Sequence, residues 1–124
     1  MGLAFAGWGT PAASATVAPP EQPDTDSVAF TDNASIVHPN FMAVESWSRV
    51  DDDRAVAVHF TSGTPACNGV HATSRETADA VTVWLSGGSL PASANRMCVM
   101  IAVTGTLVVP LQGPLGDRQV LSAT

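Results

Sequence analysis

Apolar and polar side chains alternate along much of this chain with the period of a β-strand. The clearest stretch is residues 80–86, where Val81, Val83 and Leu85 fall at every second position. A period of two places these three side chains on one face of a strand and Trp84 on the other. We therefore predict a strand here, with the valines and Leu85 in the core and Trp84 pointing away from them.

Residues 54–61 alternate in the same way and predict a second half-buried strand. Val56, Val58 and Phe60 share one face, whereas His59 lies on the other face with two alanines. The residues before and after this stretch, Asp51–53 and 62–65, have the composition of turns.

The run 97–104 is apolar at nearly every position instead of every second one. A strand that is apolar on both faces is typical of the middle of a core, so we predict a central strand there. A further strand over residues 106–111 is expected across Gly105, with Pro110 at a sheet edge or a strand end.

A turn leads from this strand to a last short strand over residues 118–122. Pro114 fixes one backbone dihedral angle, and Gly116 permits the positive φ that a type II turn requires. Asp117 and Arg118 fit structural roles, Asp117 as a cap of the turn and Arg118 in a surface ion pair that holds the last strand.

The whole pattern predicts an all-β domain over residues 36–124, because about seven strands with turn signals every eight to twelve residues describe a small antiparallel β-sandwich or barrel. Residues 16–35 are rich in proline, alanine and acid. Such a segment buries too little to repay its ordering entropy, so we predict a disordered, extended linker.

Residues 1–15 predict part of a secretory signal peptide. A short apolar run over residues 2–8 is followed by Ala-Ser-Ala at 13–15, the small-x-small form that signal peptidase cleaves. A positively charged beginning is missing, so we expect the natural start upstream of Met1; a disordered tail is the alternative. The run is too short for a transmembrane segment.

The 124 residues contain two cysteines, Cys67 and Cys98, and no Cys-x-x-Cys pair. A tetrahedral zinc site needs more ligands than two thiolates, so one disulfide suits an exported chain better. Two buried free thiols are the alternative.

The formal net charge is −6, and the chain has no lysine and five scattered arginines. Without a basic stripe, neither nucleic acid nor an anionic membrane is an expected partner. The acidic excess lies mostly in residues 1–48, which contain five acids and no arginine.

A further strand is predicted over residues 67–76, next to the strand over 54–61. His59 and His71 lie on these two strands, each opposite the core residues of its strand, so they could face each other across one sheet. Together with His38 they could bind a metal or supply a general base, although the pair lacks a carboxylate ligand. Trp84 either packs in a second layer or lies exposed as the anchor of a binding surface, which His59 and His71 would extend.

Several motifs resemble a domain of unknown function that is common in secreted and lipid-anchored actinobacterial proteins. They are Cys67-Asn-Gly-Val70, the strand over 76–85, Cys98, and Val-Pro-Leu-Gln-Gly-Pro-Leu-Gly-Asp-Arg-Gln-Val at 109–120. The resemblance covers about residues 43–122 and implies an exported β domain with a disulfide, but it implies no activity. This chain departs from the lipid-anchored members because it has no lipobox cysteine.

We therefore expect an exported envelope or extracellular binding or structural module, without catalytic activity or cofactor, whose partner is an unknown protein or envelope component. The alternative is a small secreted hydrolase or metal-dependent enzyme that uses His59 and His71. A concave pocket with converging polar groups would favour the enzyme, and a flat apolar patch near Trp84 would favour the binding module.

Overall fold

The computed structural model describes residues 15–23, 26–93 and 97–123, and every regular element in them except one 3-10 turn, Pro91–Ser93, is a strand. The nine strands are β1 (Thr16–Val17), β2 (Val28–Phe30), β3 (Val37–Met42), β4 (Ser46–Arg49), β5 (Ala55–Ser62), β6 (Asn68–Glu76), β7 (Ala80–Ser89), β8 (Val103–Pro110) and β9 (Gln119–Ala123). The predicted all-β fold is confirmed. The signal peptide predicted for residues 1–15 lies, apart from Ala15, outside the described residues.

The strands form two sheets. In sheet A, β7 is the central strand: β6 pairs along one edge, β3 and β9 share the other edge, and β1 pairs with β9. Sheet B has the order β2-β8-β5-β4. Most pairs are antiparallel as predicted, but β2–β8 and β7–β9 are parallel.

The core lies between the inner faces of the two sheets. The two alternating stretches of the sequence supply much of it, because Val56, Val58 and Phe60 of β5 and Val81, Val83 and Leu85 of β7 are all at most 1% exposed. Fully burying an aliphatic or aromatic side chain of this size contributes about 1.5 to 3 kcal/mol. These six side chains therefore supply a large part of the driving force for folding.

Gly105 lies inside β8 and does not separate two strands, so that prediction is wrong. The rings of Phe30 and Phe60 pack edge to face with centroids 5.3 Å apart. A Cβ on Gly105 would come within 2.6 Å of Phe60 and 2.7 Å of Phe30. The glycine is therefore required by the space that the two rings occupy, and one continuous strand of eight residues results.

The central strand predicted for residues 97–104 is also wrong, because β8 begins only at Val103. Met97 is 99% exposed, Met100 95% and Val99 67%. This apolar segment, residues 97–102, has no regular secondary structure and is linked to the sandwich by the disulfide between Cys67 and Cys98, whose Cα atoms are 6.3 Å apart. The predicted disulfide is confirmed.

We predicted a disordered linker over residues 16–35, but the described residues of this stretch, 16–23 and 26–35, pair with four other strands. β1 pairs with β9 and β2 with β8. Between them, the N–H of Trp47 in β4 donates to the carbonyl of Pro20 at 3.1 Å. Farther along, the N–H of Asn33 donates to the carbonyl of Val70 in β6 at 2.8 Å. Backbone pairing, which the side-chain composition does not encode, orders this segment.

Candidate functional site

The outer face of sheet A carries an exposed aromatic surface. Across the sheet, Phe41 of β3 is in register with Ser86 of β7, and Ser86 is in register with His71 of β6. Trp84 lies two residues from Ser86 on the same face of β7. Phe41 is 53% exposed and Trp84 38%. We call Phe41, His71, Trp84 and Ser86 the Trp84 face.

A hydrogen bond to Asp32 fixes the histidine of the Trp84 face. His71 Nδ1 lies 3.0 Å from Asp32 Oδ1, and the same oxygen accepts a hydrogen bond of 2.8 Å from the N–H of Ala72. Since an ionised carboxylate can only accept, Nδ1 is the donor and the imidazole is held with Nε2 away from Asp32. The His71 side chain is 32% exposed, so this ring can contact a ligand on the face.

His59 is not part of this surface. It is 5% exposed on the outer face of sheet B, where its Nε2 lies 3.0 Å from Ser48 Oγ. Its Nδ1 has no hydrogen-bond partner among the described residues. The prediction that His59 extends an exposed binding surface is therefore wrong, because the His59 side chain is buried.

His59 and His71 lie on opposite sides of the sandwich. We predicted neighbouring strands, but β5 belongs to sheet B and β6 to sheet A. Alternation directs each histidine away from the core that separates the two sheets. The predicted pairing across one sheet is therefore wrong. Among residues 15–23, 26–93 and 97–123, no three His, Cys, Asp or Glu side chains cluster as metal ligands would.

The predicted turn after Pro114 is present, but its geometry differs from the prediction. The N–H of Arg118 donates to the carbonyl of Leu115 at 3.0 Å, so Gly116 is the second residue of this turn. Gly116 has φ +55° and Asp117 does not have a positive φ. This φ pattern is that of a type II′ turn, not type II.

Arg118 has a structural role, as predicted, but with a different set of partners. Its guanidinium pairs with Glu76 of β6 at 3.1 Å, and both side chains are at most 15% exposed. It also donates to the carbonyls of Pro114 at 2.7 Å and Gly113 at 3.1 Å. The ion pair is therefore largely buried and not on the surface. Asp117 is exposed and caps nothing in the described part of the chain.

Glu76 completes this cluster from β6. Its carboxylate accepts hydrogen bonds from the N–H groups of Gln112 at 2.6 Å and Gly113 at 3.2 Å. Burial raises the pKa of Glu76, but these two N–H groups and Arg118 outweigh that effect and hold the pKa below its ordinary value of 4.5. The Glu76 carboxylate stays ionised, and its hydrogen bonds link the loop before β9 to the β6–β7 hairpin.

The sequence analysis did not identify Phe41 as part of the Trp84 face or Asp32 as the partner of His71. It also did not identify Glu76 as the partner of Arg118. Asp32 and His71 are 39 residues apart, and Glu76 and Arg118 are 42 apart. No local pattern marks such contacts. Phe41 is visible in the sequence as an aromatic residue, but its exposure depends on the packing of the sheets and is not.

Comparisons with known proteins do not assign the chain to a family. No protein-family model matches it, and neither a curated protein nor a solved structure does. Within the described residues, no helix has the length and apolar character that crossing a bilayer requires. The functional argument therefore depends on the geometry of the surface.

Proposed function

We propose that this protein is an exported binding module of the cell envelope or extracellular space, that it has no catalytic activity, and that it recognises its partner through the Trp84 face. The observation that carries the proposal is the exposure of Phe41 and Trp84 together on the outer face of sheet A. Exposed aromatic side chains next to polar groups are enriched where proteins bind partners, because they contribute large contact areas at low entropic cost.

The surroundings of the two rings support recognition over a purely structural role. Ser86 lies between Phe41 and His71 in the sheet register, and Thr73 pairs with Trp84. These side chains provide hydroxyl and imidazole groups beside the apolar rings. An open sheet face of this kind suits a broad ligand, such as a wall polymer or an envelope protein, better than a small enclosed substrate.

Export is part of the same proposal. It is supported by the disulfide, which persists in oxidising compartments, and by the signal-like sequence at residues 1–15. The resemblance to secreted actinobacterial domains points the same way. Mass spectrometry of the protein isolated from the envelope or the medium tests this part. We expect a chain that begins near Thr16 and retains its disulfide, whereas an intact Met1 with two alkylatable thiols would contradict it.

Binding is tested by cosedimentation of the purified protein with isolated cell envelopes of the organism that encodes it. We expect the wild type to sediment and the Trp84→Ala and Phe41→Ala variants to remain largely in solution, with a loss of about tenfold in affinity or more. Val108→Ala is the matched control, because Val108 is 52% exposed on sheet B.

Two results would contradict the assignment. If the wild type stays in solution, the partner is not an envelope component. If Trp84→Ala sediments as well as the wild type, the Trp84 face is not the binding surface. The alternative, a hydrolase or metal-dependent enzyme that uses His59 and His71 together, is not favoured by the positions of these residues on opposite outer faces.

A further inference from the structure

A cavity of about 690 Å³ lies at the end of the sandwich where the apolar segment 97–102 returns to β8. Its volume falls within the range of roughly 300 to 1,000 Å³ that small-molecule sites occupy. Neither Trp84 nor Phe41 lines it, so it is separate from the Trp84 face.

One side of the cavity is apolar and exposed. Val99, Met100 and Ile101 form it, and Ile101 is 50% exposed. These side chains would lose contact with water if a ligand covered them, and burial of apolar surface favours such binding. Methionine also adapts its shape to different apolar partners.

The other side of the cavity is polar and uncharged. Ser62 at the end of β5 and Ser89 at the end of β7 line it. Both are partly buried, and neither hydroxyl forms a hydrogen bond with another residue in the described part of the chain. Two hydroxyl groups that are free to donate or accept are suited to a hydroxyl or amide group of a ligand.

The charge distribution disfavours an anionic ligand. The described lining residues carry no charged side chain. From behind the lining, the Glu45 carboxylate accepts a hydrogen bond from Thr61 Oγ1 at 3.0 Å, which places negative charge next to the cavity. The chain as a whole carries a net charge of −6. An anion would therefore meet repulsion, and none of the described lining residues carries a positive charge to offset it.

From these observations we infer that the cavity binds an uncharged amphipathic molecule, with its apolar part against Val99–Ile101 and its polar part over Ser62 and Ser89. A neutral lipid or glycolipid has this chemistry. The disulfide at Cys98 holds the apolar side of the site next to the polar side. This inference does not depend on the Trp84 face.

Fluorescence titration with N-phenyl-1-naphthylamine, an uncharged apolar probe, tests the inference. We expect saturable binding of one probe per chain to the wild type, and displacement by monomeric octyl glucoside. Ile101→Asp places a charge in the apolar side and should weaken binding about tenfold or more. Since Ile101 is half exposed, this variant should fold, which circular dichroism would check.

Two controls locate the site. Val108→Asp adds the same charge at a similarly exposed valine outside the cavity and should bind the probe like the wild type. Trp84→Ala should also bind normally. The Ser62→Ala/Ser89→Ala double variant should retain the probe but need several-fold more octyl glucoside to release it, because only the glucoside uses the hydroxyl groups.

The inference is overturned if the wild type shows no saturable binding, or if Val108→Asp or Trp84→Ala loses the probe as much as Ile101→Asp does. Displacement by octane sulfonate at lower concentration than by octyl glucoside would contradict the preference for uncharged ligands. Failure of this titration leaves the cosedimentation result unaffected, and the reverse also holds.

Discussion

Gly113 and Gly116 lie in the same loop but have different backbone conformations. Gly116 has φ +55°, whereas Gly113 does not have a positive φ. A Cβ added to either residue would meet no atom within 4 Å. Alanine at either position would meet no steric clash, so a difference between the two substitutions reports the backbone strain at Gly116 alone.

We predict that Gly116→Ala lowers the free energy of unfolding by about 1 kcal/mol, because the left-handed region disfavours a Cβ. Gly113→Ala, the matched control, should raise it by up to about 1 kcal/mol, since alanine restricts the unfolded chain. Urea unfolding measures both. Equal effects of the two substitutions would show that φ at Gly116 is not the deciding factor.

At the scale of elements, the Glu76–Arg118 cluster joins two parts of the chain that have no strand pairing with each other. The loop between β8 and β9 provides N–H and carbonyl groups, and β6 provides the carboxylate. Both side chains are largely buried, so this pair contributes more than an exposed ion pair does.

We predict that Glu76→Gln lowers the free energy of unfolding at pH 7 by about 1 to 2 kcal/mol, since hydrogen bonds to a charged acceptor are lost. The folded pKa of Glu76 lies below 4.5, so the stabilisation is complete above pH 4.5 and is lost as the pH falls through the folded pKa. In acid, the free energies of unfolding of the wild type and of Glu76→Gln should therefore become similar.

Urea unfolding at several pH values from neutral to acid measures this difference. Glu21→Gln is the control, because Glu21 pairs with Arg49 at 3.4 Å with both side chains about half exposed, and solvent screens such a pair. A constant difference between the wild type and Glu76→Gln across the range would contradict the assigned role of the carboxylate.

For the whole molecule, the disulfide joins two cysteines that are 31 positions apart in the sequence, and the loop that it closes contains the β6–β7 hairpin. Cys67 is 9% exposed, whereas Cys98 belongs to the exposed apolar segment. The bridge therefore attaches a poorly packed segment to a packed sandwich. Its contribution to stability comes mainly from restricting the unfolded chain.

We predict that the Cys67→Ser/Cys98→Ser double variant lowers the free energy of unfolding by about 3 to 4 kcal/mol on the chain-entropy model. The strands should remain, because the core of both sheets does not include the apolar segment. Urea unfolding followed by circular dichroism measures the free energy of unfolding and the strand content. The reduced wild type should match the variant in both. Loss of the strand signal in native buffer would show that the bridge is required for folding.

The sequence alone determined the properties that depend on local periodicity. Alternation identified the core faces of β5 and β7 and directed Trp84 outward, because a strand places successive side chains on opposite faces whatever its neighbours are. The composition also indicated the disulfide, and the Pro-Leu-Gly-Asp-Arg stretch located the turn before β9.

The tertiary structure decided which strands are neighbours and which apolar residues are buried. Residues 97–102 are apolar enough for a core strand, yet they lie outside the sheet because β5 ends at Ser62, in register with Val103, and does not extend far enough to pair with them. His59 and His71 are separated because the chain crosses from sheet B to sheet A between them. Asp32 reaches His71 only because residues 16–35 pair with distant strands. Each outcome depends on contacts between remote parts of the chain, which no local pattern encodes.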